Sequence, residues 1–485
     1  MIALFISLTT WQIILIINYA LVIVAAGTLL LKNSNPTKTL TYLIVLMVLP
    51  LVGLIVYYLF GQEYRKQKLF RRKHILNQST IKKYNEELKL DDELLSEIEE
   101  DFLEGKVKLI KLLNSCKDAP LTSCNTIEVI RNGENTVPRI VEDISKASQF
   151  IHLEYYILKD DETGLDIINA LCERAENGIE VKLSYDYVGS SLSNATLDRM
   201  TASGVEYNPF MPVYFPKFTS KLNYRDHRKI AIIDGQIGYL GGVNLSNTYY
   251  NGRNPRYWRD THVRIEGQAV GSLQMHFFMT WDFVTEEKFQ IERFHFPKCE
   301  IDTQTAIQIA ASGPDTDWAN IMEAIFTAIN LAEDYVYITT PYFIPNDEML
   351  TALEVAAKSG VDVRIIVPEI SDSKIAQYAS ASYFERVLEA GVKIFLYTKG
   401  FVHAKTMVVD GVFSTIGTSN MDYRSFNINF EINALVYNKD NAATMVSHFN
   451  EDLKECKQID FKEWKNRGIR QKIKESAMRL FAPLL

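Results

Sequence analysis

His227-Arg228-Lys229-Ile230-Ala231-Ile232-Ile233-Asp234 is followed, after six residues, by Gly241 and then by Asn244. His403-Ala404-Lys405-Thr406-Met407-Val408-Val409-Asp410 is followed at the same interval by Gly417 and Asn420. Both stretches spell H-x-K-x4-D, with an Asn seventeen residues beyond the His. The apolar run behind each Lys reads as a strand, and residues i and i+2 of a strand share a face. Imidazole and ammonium therefore emerge side by side. An imidazole near neutral pH can attack, accept a proton or donate one. A neighbouring Lys and Asn are donors for the non-bridging oxygens of a phosphoryl group. A single such motif in 485 residues would be an accident, whereas core packing gives no reason for two copies with matching Gly and Asn.

The surroundings of the motif repeat as well. Residues 150–157 alternate as a strand, 164–175 form a helical pattern and 179–183 a second strand. The later chain runs helix 321–332, strand 335–340, helix 349–358, strand 361–367, helix 374–390 and strand 392–397 before His403. This order predicts an α/β fold of two similar halves, each a mainly parallel or mixed sheet flanked by helices. Pseudo-two-fold symmetry would bring both motifs to one cleft. Phe150–Ile157 is expected to correspond to 335–344, and 179–183 to 361–367.

Residues 11–31 and 40–60 are almost wholly apolar, each about long enough to cross a bilayer, with a short polar turn between them. A cleaved signal peptide is disfavoured by the length of the stretch and the lack of a basic start. Arg65, Lys66, Lys68, Arg71, Arg72 and Lys73 follow the second segment. The positive-inside rule then predicts a hairpin with both ends cytoplasmic, and the same cluster could attract anionic headgroups. Net charge is −8, which disfavours a general nucleic-acid binder. Cys116, Cys124, Cys172, Cys299 and Cys456 show neither metal-ligand spacing nor a disulfide framework, so a reduced set is expected. No metal or cofactor is called for.

At its two motifs the chain resembles the phospholipase D superfamily, and the order of features around them resembles bacterial cardiolipin synthases. The resemblance covers nearly the whole chain. It implies a phosphatidyl transfer between two phosphatidylglycerol molecules through a phosphohistidine, giving cardiolipin and glycerol, with no cofactor. The implied site holds His227, Lys229, Asp234, His403, Lys405 and Asp410. Asn244, Asn420, Asp260 and Glu431 bind phosphate or support it, with Asp260 orienting His227 and Glu431 orienting His403. Asp234 and Asp410 belong to the signature, but are expected to tie strand ends rather than move protons. His262 reads as a structural strand residue.

The expected organisation is a transmembrane hairpin over 1–62, a basic and then acidic helical linker over 63–120, halves over 121–295 and 296–460, and a basic amphipathic helix over 461–485. That last helix could lie in a membrane interface or dock on the catalytic body. The aromatic stretch 209–221 could line a lipid groove or cap the core. Expected partners are phosphatidylglycerol, anionic lipids and the membrane itself; a homo-oligomer is compatible with the sequence. A bacterial cell membrane, with the catalytic part on its cytoplasmic side, is the expected location. A hydrolytic phospholipase D, a nuclease and a non-enzymatic membrane scaffold are the rival readings. Two intact motifs weigh against the scaffold, and the charge and apolar segments weigh against the nuclease.

Overall fold

The computed structural model describes residues 10–31, 36–51, 53–54, 107–115, 119–212, 224–285, 305–316 and 318–485. The basic cluster 65–73, the acidic helix expected over 86–104 and most of the aromatic stretch 209–221 lie outside them. Thr10–Leu31 is one apolar helix of 22 residues, about 33 Å long and enough to span a bilayer. It packs through Val22, Ala25 and Leu29 on Leu46 of the helix Pro36–Val48. This second helix runs 13 residues to a bend at Leu49, after which residues 50–51 and 53–54 are helical again and the remainder of the expected segment 40–60 lies outside the described residues. Among the described residues, then, one helix rather than two has the length of a span.

Among the described residues, two sheets share a common frame of seven strands each. Asn125–Arg131 (β1), Phe150–Tyr155 (β2), Glu180–Asp186 (β3), Glu206–Phe210 (β4), Lys229–Ile233 (β5), Ile237–Gly241 (β6) and Thr261–Gly267 (β7) form the first. Ala306–Ser312 (β8), Tyr335–Thr339 (β9), Asp362–Pro368 (β10), Lys393–Tyr397 (β11), Thr406–Val409 (β12), Phe413–Gly417 (β13) and Glu431–Tyr437 (β14) form the second. The strand order is β1-β7-β6-β5-β2-β3-β4 in one and β8-β14-β13-β12-β9-β10-β11 in the other, with short extra strands at both edges of the second. Adding seven to every label converts one order into the other. Strands β2-β3-β4 and β9-β10-β11 are parallel, and the remainder are antiparallel. The sheets are mixed, as two similar α/β halves require.

Helices cover the parallel strands because short polar residues start them where the periodicity does. Asp161 caps Glu162–Glu176, accepting from Gly164 N at 3.1 Å, and Asn346 caps Asp347–Lys358, accepting from Met349 N at 3.2 Å. The alternation of β5 divides two cores. Ile230 and Ile232 join a shared core with Val408, Ile416 and Ile432 of the other sheet and with the buried helix Ala269–Thr285. Ala231 and Ile233 face the first half's own helices. Each such Ile contributes about 1.5–3 kcal/mol by burial, so a charge at 232 would split the halves at their joint.

The C-terminal segment docks on the body. Helix Ile469–Arg479 lies against helix Lys374–Glu389, with Arg467 paired to Glu385 at 2.6 Å and to buried Glu475 at 2.7 Å. Trp464 packs beside Phe384, ring centres 5.5 Å apart. Cys172 and Cys456 are free, whereas Cys124 is disulfide-bonded, unlike the reduced set expected.

Candidate active site

The antiparallel pairing of β5 on β2 puts Lys229 opposite Tyr155, so His227 stands at the end of the sheet where β2 finishes. Thr406 pairs with Thr339 in the same way, which sets His403 at the equivalent end of the second sheet. β6 and β13 run back toward the imidazoles, returning Asn244 and Asn420 to the same end. The motif aspartates are left at the opposite end. There Asp234 accepts from Ser148 N, Gln149 N and Phe150 N at 2.7–2.9 Å. Asp410 accepts from Glu333 N, Asp334 N and Tyr335 N at 2.8–2.9 Å. Both adopt left-handed backbone, φ 52° and 49°, each before a left-handed glycine in a tight turn. A five-residue strand separates such a group from the His by roughly 16 Å. Asp234 and Asp410 are thus strand ties and not part of the reacting constellation.

The carboxylates pair with the imidazoles in the opposite sense to that expected. His227 Nδ1 lies 2.9 Å from Glu431 Oε2, and His403 Nδ1 lies 2.7 Å from Asp260 Oδ2. Each His is oriented by a carboxylate from the other half. The backbone explains the crossing. Phe401 and Val402 form a short parallel ladder with Trp258 and Arg259, and His403 N donates to Arg259 O at 2.7 Å. Across the pseudo-axis Asp226 bridges Phe430, and His227 N donates to Phe430 O at 2.9 Å. Asp260 follows Arg259 and Glu431 follows Phe430, so each arrives beside the other half's imidazole. Buried Arg259, held by Asp452 at 2.9 Å, fixes one of these ladders.

With Nδ1 engaged, no hydrogen bond reaches Nε2 of either ring among the described residues. Tyr156 meets His227 edge-on at 4.8 Å, and Tyr249 and Trp258 flank His403 at 5.3 and 5.5 Å. Burial, then Lys229 and Lys405, drives His227 well below the ordinary histidine range. Burial and Lys405 lower His403 to about 4. Both rings are neutral at pH 7, so Nδ1–H toward a carboxylate leaves a lone pair on Nε2. Burial also lowers Lys229 to about 7 and Lys405 to about 8. Lys229 Nζ donates to His227 O at 2.5 Å, and Lys405 Nζ contacts His403 O and Nδ1.

The carboxylates differ from each other. Burial raises Asp260, but His403, Lys405 and the Thr261 N–H outweigh it, leaving it below the ordinary value. Burial raises Glu431 to about 7 against the opposing Lys229 charge and the Thr418 hydroxyl, which donates to Oε2 at 2.6 Å. Asn244 accepts from Ile157 N at 3.2 Å, and its buried Nδ2 has no hydrogen-bond partner. Asn420 lines one cavity with Lys405 and Ser419. The site therefore gathers His227, Lys229, Asn244, His403, Lys405, Asn420, Asp260 and Glu431. His262 is fully buried, lowered to about 3 by burial, with neither ring nitrogen hydrogen-bonded. Among the described residues no group of three or more His, Cys, Asp or Glu could hold a metal ion.

Sequence reasoning passed over Tyr156, Thr418 and Arg228. Thr418 sits inside the repeated stretch, one place after the shared glycine, where the first half has Gly242. Arg228, between His and Lys, faces the joint between the halves, where Nη1 meets Glu154 at 3.4 Å and Thr280 at 3.1 Å.

A family model described as "Cardiolipin synthase, PLD-like domain" matches residues 140–277 and 325–453, once in each half. One described as "Phospholipase_D-nuclease N-terminal" matches residues 20–62. A cardiolipin synthase of Geobacillus sp. (strain WCH70) is 41% identical over 468 residues, covering 96% of this chain and 92% of the relative. The chain belongs to the cardiolipin synthase family. Further members from Halalkalibacterium halodurans and Clostridium perfringens are 41% and 38% identical, each match covering 94% of this chain and 90% and 96% of the relative. A crystal structure of phosphatidylserine synthase from Haemophilus influenzae Rd KW20 shares the fold, with TM-score 0.59 and 15% identity over 78% of this chain and 100% of that one. Family membership makes the chain a phospholipase D-type phosphatidyltransferase associated with membranes.

Proposed function

We propose that the chain transfers a phosphatidyl group between two phosphatidylglycerol molecules, reversibly, giving cardiolipin and glycerol. His227 Nε2 attacks the phosphorus of one lipid, forming an N–P bond as the bond to the glycerol headgroup oxygen breaks. His403, as the imidazolium, delivers its Nε2 proton to that oxygen. The second lipid's headgroup hydroxyl then gives its proton to His403 and attacks phosphorus, and the N–P bond breaks. Two displacements replace one difficult exchange. The observation that carries this reading is the pair of imidazoles, each held through Nδ1 with Nε2 unengaged. Asp260, kept ionised, favours an imidazolium at His403, as the acid role needs. A phosphodiester anion offsets the lysine charges that disfavour that cation. Lys229, Lys405, Asn244 and Asn420 hold the non-bridging oxygens, where fixed donors act most strongly on transition-state charge.

The same reading takes 1–62 as a two-span hairpin in a bacterial cell membrane, 63–120 as a linker, 121–295 and 296–460 as the two halves on the cytoplasmic side, and 461–485 as the C-terminal segment. The test is purified full-length protein in phosphatidylglycerol micelles without other alcohol, with products followed by mass. Cardiolipin with equimolar glycerol is expected. Phosphatidic acid with glycerol would make water the acceptor and the chain a hydrolase.

A further inference from the structure

Large apolar side chains are exposed on segments that leave both sheets at the ends where the imidazoles stand. Tyr187 and Val188 follow β3, while Ile370 follows β10, the equivalent strand of the other half, and Ile375 lies in the first turn of the next helix, Lys374–Glu389. Trp318, 65% exposed, follows β8. Isolated exposed apolar residues are ordinary on any protein surface. Here they recur on equivalent loops of both halves, where neither half's core calls for them.

Hydrogen bonds tie these loops to the reacting segments. Val188 N donates to Asp186 Oδ1, and Asp186 Oδ2 accepts from Asp226 N, next to His227. Arg256, four residues before Asp260, donates to Ile370 O. Ser312, the last residue of β8, pairs in register with Glu431, and the space beside Gly313 is filled by Asp315 and Phe430. The apolar residues thus lie on the side of the body that carries the site, on segments from both halves, and form its rim. Exposed Lys374 stands beside Ile375, but Glu369 and Asp372 are exposed on the same segment, so the apolar side chains rather than net charge point to a bilayer.

We infer that this rim is a membrane-docking surface, inserted among the acyl chains of an anionic bilayer so that lipid headgroups enter the cleft without leaving the membrane. The inference rests on the proposed lipid substrate. It adds that the rim, beyond the N-terminal helix, engages the bilayer. A membrane helix tethers the body but leaves its orientation free; apolar residues on both sides of the mouth fix it, as they do for interfacial anchors.

The test uses the full chain in nanodiscs containing phosphatidylglycerol, with Trp318 isolated by difference from Trp318→Phe. Trp318 emission should be quenched by brominated lipid and shielded from iodide. Access by iodide without quenching by brominated lipid would overturn the proposal. So would shielding from both that disappears at one chain per disc, the mark of a second copy covering the rim. Independently, Val188→Asp with Ile370→Asp should raise KM for bilayer phosphatidylglycerol about tenfold and leave turnover of a monomeric short-chain analogue unchanged. Equal loss on both substrates, or none on either, would contradict it. Phosphatidic acid as the product would change the acceptor assignment and leave the quenching result standing.

Discussion

In the first half the residue after the shared glycine, Gly241, is Gly242, and the space its side chain would occupy is filled by the Asp260 carboxylate. In the second half that residue is Thr418, and its hydroxyl holds Glu431 at 2.6 Å. The sheets around the two positions share strand order, hairpin turn and Asp tie. One frame, duplicated, therefore presents two carboxylates of different length, neighbours and proton affinity. Asp260 is held ionised beside His403, while Glu431 lies near the middle of its titration at pH 7 beside His227. Similar scaffolds can give two imidazoles separate tasks when their partners differ in this way.

The largest effects separate the imidazoles from everything else. His227→Ala should abolish turnover, and His403→Ala should lower kcat by about 10²–10⁴-fold, measured as cardiolipin formed from phosphatidylglycerol. Asp260→Asn and Glu431→Gln should follow, with losses up to about 10⁴-fold and folding retained by circular dichroism. Gly242→Ala should approach Asp260→Asn in severity, because its Cβ displaces that carboxylate. Thr418→Val should cost about 1.5–3 kcal/mol of transition-state stabilisation, the worth of a hydrogen bond to a charged group, with Thr418→Ser near wild type. A Gly242 variant milder than the Thr418 one would break the comparison.

Asp234→Ala and Asp410→Ala move stability more than chemistry. Each leaves three backbone N–H groups without their acceptor and puts Ala at positive φ. The melting temperature should fall while kcat of the folded fraction stays within about threefold of wild type. The smallest effect is in pH. The value near 7 for Glu431 predicts that kcat/KM rises through about pH 7 as the carboxylate forms. The Thr418 hydroxyl stabilises the ionised form, so Thr418→Val should move that limb to higher pH, and Glu431→Gln should remove it. For folding the sign is reversed. A carboxyl titrating above its unfolded value stabilises most below the ordinary carboxylate range, and that contribution is lost as pH rises through about 7.

Much of this was legible in the chain. The duplicated spacing located His227, Lys229, Asn244, His403, Lys405 and Asn420, and the repeated strand–helix order gave the two sheets. Asp234 and Asp410 count in the expected site as members of the signature, with a tie between strand ends as their expected role, and the strand that separates each from its His leaves them outside the reacting constellation. What the sequence hid was the partner of each imidazole. Asp260 follows His227 in the first half and Glu431 follows His403 in the second, beyond Asp422, so a reading by order along the chain pairs them within halves. The crossing depends on short ladders, Phe401–Val402 on Trp258–Arg259 and Asp226 on Phe430, that join residues far apart in sequence. No periodicity announces a two-residue strand. Thr418 escaped notice because a Gly-to-Thr difference inside a repeat carries meaning only once Glu431 is seen against it.

The crossed pairing is tested most directly with an activated phosphatidyl ester whose leaving group needs no protonation, by trapping the base-stable, acid-labile phosphohistidine in four variants. With such a substrate, loss of the acid His leaves the first displacement intact and stalls the second. Asp260→Asn should therefore accumulate phosphoenzyme as His403→Ala does, and Glu431→Gln should fail to form it at a normal rate, as His227→Ala does. Asp260→Asn grouping with His227→Ala, and Glu431→Gln with His403→Ala, would mean that each carboxylate serves its own half, and would contradict the account.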